Sequence, residues 1–75
     1  MITQAEFYVE LAKYRQEYPQ LRKGQATFNL LHSHMPQIAN EHVGTDTDPF
    51  YHDERSDEFV RLCFKKYRES QESPQ

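Results

Sequence analysis

Ser56-Asp-Glu-Phe-Val-Arg-Leu-Cys-Phe-Lys-Lys-Tyr-Arg68 is the stretch whose reading decides the fold class. Phe59, Val60, Cys63, Phe64 and Tyr67 recur at the three- and four-residue spacing of one broad helical face. Lys65, Lys66 and Arg68 fall in the last turns, where cations complement the helix dipole. The pattern predicts a helix opening at or just before Ser56, with a frayed end over residues 69–75.

The segment upstream, Gly44-Thr-Asp-Thr-Asp-Pro-Phe-Tyr-His-Asp-Glu-Arg55, has no such period. It is polar enough to be a loop, yet it holds Phe50 and Tyr51 side by side. Two adjacent large rings in a loop either pin it to the core or face a partner. Phe50 reads as the ring that closes the open end of the core. Tyr51 suits either role, because its hydroxyl can sit at the water boundary. Asp48-Pro49 can open a single turn, with Asp48 as cap and Pro49 at its first position. Arg55 is expected to pair with Asp48 or Asp53 and hold the loop.

Further back, Thr3-Gln-Ala-Glu6 is a capping box. Phe7, Leu11, Tyr14 and Tyr18 follow as one stripe of a helix from about residue 4 to 18, ended by Pro19. A second helix is predicted from Lys23 or Gly24 to His34, with Phe28, Leu31 and Met35 as its stripe, widened by Thr27 and Leu30. Gly24 is expected to let it approach the first helix closely. Pro36 suits the first position of a short third helix reaching His42, and Gly44 its stop. Gln25 and Asn29 are expected to place their amides on the backbone of the 44–55 loop. The three longer stripes are each short, so they close a core only by packing together.

Size and composition narrow the field. A chain of 75 residues makes one domain over residues 1–70, with 71–75 as a tail, and buries only about 60% of its unfolded surface. Chains of this size usually need a staple such as a disulfide, a metal or a second copy. Cys63 is the only cysteine, so no disulfide forms within the chain; a lone thiol with no visible leader fits the cytoplasm. No apolar stretch approaches the roughly 18 residues of a membrane span. Net charge is −3, and residues 41–58 hold seven acids against one base, whereas residues 59–70 hold four bases against one acid. That acidic block reads as a solvated face rather than a steering device.

Motifs for chemistry are sparse. His32 and His34 are two apart and point to roughly opposite sides of a helix. His42 and His52 bracket the acidic stretch without metal-ligand spacing. Asp46-x-Asp48 fails as a calcium loop, because Tyr51, too bulky for the sharp turn, stands where the glycine belongs. Cys63 lies on the apolar face of the last helix, where a thiol is an inert small hydrophobe. With only Gly24 and Gly44, the chain has no glycine-rich phosphate loop. No cofactor, metal or catalytic residue is expected. The third helix carries no Arg or Lys to read DNA, so nucleic acid is not expected as a partner.

Arg22-Lys-Gly-Gln25, Phe28-Asn29, Leu31, Pro36, Ala39, Gly44-Thr45 and Asp48-Pro-Phe-Tyr-x-Asp53-x-Arg55 together resemble a group of short uncharacterised proteins of phage and bacterial genomes. The resemblance spans about residues 5 to 65, and Gly-Thr-x-x-Asp-Pro-Phe-Tyr is its most specific element. It implies a compact cytoplasmic α-helical protein, and it brings no activity or ligand to carry over.

The expectation is a small all-α bundle of three main helices and one short helix, with a structured acidic loop. Its expected role is a non-enzymatic protein-interaction or regulatory module, of the kind phages use as accessory proteins. Asp48, Phe50, Tyr51, Asp53 and Arg55 are its partner-binding candidates. The alternatives are a homodimer with no further chemistry, and weak nucleic-acid binding through the basic last helix.

Overall fold

The computed structural model describes residues 2–72. Helices α1 (Gln4–Glu17), α2 (Lys23–His34), α3 (Pro36–Asn40) and α4 (Ser56–Glu72) follow in order, with a single 3-10 turn at Asp53–Arg55 before α4. No strand occurs among the described residues, so the fold is the small all-α bundle predicted. The helix of α4 runs on through Glu72, past the expected onset of fraying; residues 73–75 of the expected tail lie outside the described residues.

Each boundary has a local cause. Thr3 Oγ1 accepts from Glu6 N at 3.1 Å, and Thr3 N donates to Glu6 Oε1 at 2.9 Å, which closes the capping box of α1. Tyr18 caps the other end, and Pro19 follows it. α3 stops at Asn40, two residues before its expected end. There Glu41 N, His42 N and Val43 N turn to the carbonyls three residues back, at 3.2, 3.0 and 3.2 Å, so the chain tightens into turns. Gly44 then takes a φ of 78°, which a glycine adopts without strain.

The core is shared by the elements. Phe7 and Leu11 of α1, Ala26, Leu30 and Leu31 of α2, Met35 and Ala39 around α3, and Phe59, Val60, Cys63 and Phe64 of α4 are all buried. Phe7 packs edge-on against Phe64, with ring centroids 5.8 Å apart. Phe28 stacks on Phe59 at 5.6 Å, joining α2 to α4. Tyr8, outside the α1 stripe, crosses to α4 and donates to Asp57 Oδ1 at 3.0 Å. Burial first, and the Asp57 carboxylate second, push its hydroxyl up to about 12.

Gly24 is buried, but its close neighbour is not α1. A Cβ there would stand 1.8 Å from the carbonyl oxygen of Pro49, so the approach it permits is by the 44–55 loop. α2 also begins without a capping side chain, because its N-cap is Arg22, a residue with no acceptor. Gln25 Oε1 reaches back to Arg22 N at 3.1 Å. The cap on the helix itself comes from far along the chain: Gly24 N donates to Asp53 Oδ1 at 2.9 Å. Asp53 thus does for α2 what a local Asp at the N-cap would do, and its charge suits the positive end of the helix.

Candidate functional site

The loop between α3 and α4 is held almost entirely by its own polar groups. Asp48 is the hub: Oδ2 accepts from Gly44 N at 2.8 Å and Oδ1 from Phe50 N at 3.0 Å. With Pro49 in first position and His52 N donating to Pro49 O at 2.9 Å, this is the expected Asp-Pro turn. Arg55 Nη1 donates to the carbonyl oxygens of Thr45 and Asp48, at 3.4 and 3.5 Å. The expected pairing of Arg55 with the Asp48 or Asp53 carboxylate is therefore corrected. Asp48 is taken by loop amides, and Asp53 by Gly24 N and by Arg22 Nη2 at 3.7 Å. The expected role of Gln25 and Asn29 is corrected too. Gln25 serves its own helix, and among the described residues no hydrogen bond joins Asn29 to the loop. The hydrogen bond that does join α2 to the loop runs from the backbone amide of Gly24 to the Asp53 side chain.

The two rings part company. Phe50 turns inward, half-buried and edge-on to Phe28 at 6.0 Å. Tyr51 turns outward and is 72% exposed, with its ring 5.0 Å from that of Phe50. A row of rings runs from the surface inward: Tyr51, Phe50, Phe28, Phe59 and, edge-on at 5.3 Å, His42. His42 Nδ1 meets Thr47 Oγ1 at 2.5 Å, which ties the first half of the loop to the same row. Tyr51 is thus an exposed aromatic on a braced support.

Beside it lies a recess of about 160 Å³, lined by Gly44, Thr45, Asp48, Tyr51, His52 and Arg55. His52 lies at its edge, with Nδ1 3.5 Å from Glu54 Oε2. All the candidate residues are thereby placed. Asp48 and Arg55 line the recess beside Tyr51, Phe50 supports Tyr51 from below, and Asp53 bolts the loop to α2.

Elsewhere three more acids of the charged block are engaged: Asp57 accepts from Tyr8 of α1, Glu58 lies 3.4 Å from Arg61, and Glu54 lies beside His52. His32 stacks on Phe28, whereas His34 Nε2 meets Glu10 Oε1 of α1 at 2.5 Å. Among the described residues no three His, Cys, Asp or Glu side chains gather to hold a metal. Burial, with a smaller contribution from the Glu41 carboxylate, pushes the Cys63 thiol up to about 12. No described helix is long and apolar enough to cross a membrane.

Comparison with models of known protein families, with curated proteins and with solved structures finds no match.

Proposed function

We propose that the chain is a non-enzymatic interaction module that binds a partner protein through Tyr51. The observation that carries this reading is the exposed Tyr51 ring on a loop fixed by Asp48, Asp53 and Arg55. An aromatic held in one direction loses little freedom on binding, which is what makes such residues effective anchors. Phe50 contributes from below by supporting that ring. The lone thiol Cys63 suits a reducing cytoplasm, and the resemblance to short phage and bacterial proteins suits an accessory role acting on a host protein.

The test is capture of partners from a cell lysate by the tagged chain and by Tyr51→Ala, both confirmed as folded by circular dichroism. One stoichiometric protein held by the wild type and lost by the variant is the expected result. Equal capture by both chains would remove Tyr51 from the interface. A melting temperature that rises with protein concentration would point instead to a homodimer. The exposed Lys65, Lys66 and Arg68 of α4 support a second reading, binding of nucleic acid, which would show as salt-sensitive retention on random DNA.

A further inference from the structure

We infer that the recess beside Tyr51 receives a carboxylate-bearing side chain of the partner, which pairs with Arg55; this rests on the proposal that the loop binds a protein. The argument starts from the cation. Residues 41–58 contain seven acids and one base, yet among the described residues Arg55 forms no ion pair. Arg22 and Arg61, on more open surface, each have a carboxylate within 3.7 and 3.4 Å.

Arg55 is half-buried, and its contacts are long ones from Nη1 to two carbonyl oxygens, at 3.4 and 3.5 Å. A guanidinium carries five N–H donors in a planar fork matched to a carboxylate. Among the described residues Nη2 and Nε donate to none, so most of that fork is unspent. Two of the loop's carboxylates serve other contacts, since Asp48 accepts from two amides and Asp53 is committed to α2.

The recess suits such a guest. Its volume of about 160 Å³ leaves room for a carboxylate and its one or two methylenes. Tyr51 stands at its wall to cover the methylenes, and Thr45 lines it as well. Asp48 also lines the recess and repels an anion. Both of its oxygens already accept from backbone N–H groups, which draws its charge inward along the loop. The partner's acid therefore completes a charge pair that the loop leaves open.

The probe is acetate, titrated at neutral pH and constant ionic strength against the labelled chain, with amide and Arg55 side-chain signals followed by NMR. Acetamide, the neutral analogue, and inorganic phosphate serve as comparisons. Saturable shifts confined to residues 44–55 with acetate, and none with acetamide, are expected. Arg55→Lys should weaken acetate about tenfold, the worth of one charge-assisted hydrogen bond. The wild-type comparison stands even where that variant loosens the loop. Linear, unsaturable shifts, equal response to acetamide, or tighter binding of phosphate would each overturn the inference. A chain that ignores acetate but keeps its protein partner sinks this inference alone. A chain that binds acetate and holds no partner keeps the carboxylate recess and sinks the protein reading.

Discussion

Replacing Gly24 with alanine should unbolt the loop, and the structure sets the size of the effect. The added Cβ would lie 1.8 Å from Pro49 O, 2.9 Å from Pro49 C and 3.1 Å from Asp53 Oδ1. Two of those neighbours are backbone atoms and cannot swing aside. To restore ordinary contact at 3.4 Å from 1.8 Å, the loop must retreat by 1.6 Å. That retreat breaks the 2.9 Å bond from Gly24 N to Asp53 Oδ1. A hydrogen bond to a charged acceptor contributes about 1.5–3 kcal/mol, and overpacking costs about 1–3 kcal/mol where the site cannot relax. Alanine returns up to about 1 kcal/mol through helix propensity. The net loss should be about 2–4 kcal/mol, since the two costs overlap. A domain of this size has about 4–11 kcal/mol in all. The melting temperature should therefore fall by about 10–25 °C. Urea and thermal denaturation followed by circular dichroism give the loss, and amide spectra should show Gly44, Phe50 and Tyr51 displaced. A Gly24→Ala chain as stable as the wild type, or more so, would refute the close approach and with it the account of how Tyr51 is held.

Three further outcomes follow from the same geometry. Phe50→Ala should cost about 2 kcal/mol in urea denaturation, below the full range for a buried Phe because the ring is only half-buried, whereas Tyr51→Ala should stay within about 0.5 kcal/mol; equal losses would mean that Tyr51 is part of the core. Cys63 should resist a thiol reagent at pH 8 in the folded chain and react promptly in urea, because it is buried and its thiol is pushed up to about 12; fast native labelling would contradict its burial. Tyr8 and Cys63 are both neutral when protonated, and folding raises them from 10.0 and 9.0 to about 12. Their contribution to stability is thus complete below pH 9 and is lost as pH climbs toward 12, so stability measured across that window should fall, and Tyr8→Phe should flatten the part above pH 10.

The helices were legible because their signals are local. Thr3 and Glu6 lie one turn apart, Pro19 and Pro36 act on their immediate neighbours, and the α4 stripe repeats within a dozen residues. The loop's own turn was legible for the same reason, since Asp48, Pro49 and Gly44 are close in the chain. What escaped is the set of contacts that cross from one element to another. Gly24 against Pro49, Asp53 as the cap of α2, and Tyr8 on Asp57 join residues 25 to 49 apart, and no periodicity marks such a meeting. One clue was present: α2 begins at Arg22-Lys23 with no Ser, Thr, Asp or Asn to cap it, so an acceptor had to come from elsewhere. Arg55 misled because proximity in sequence to carboxylates suggests an ion pair, whereas the turn aims those carboxylates at amides instead.

The bolt between Gly24 and Asp53 also bears on the order in which the molecule assembles. Joining two points 29 residues apart in an open chain costs about 3 kcal/mol of closure entropy, which the single bond to Asp53, at about 1.5–3 kcal/mol, at best offsets. Once Phe28 has stacked on Phe59, however, Gly24 and Asp53 are each only a few residues from that junction, and the remaining closure is small. The loop is therefore expected to dock after α2 and α4 have met. Tyr51 reaches its fixed position only on a finished core. A partner that grips this ring would thereby distinguish the completed fold from a merely helical intermediate, and newly made or damaged chains would pass it by.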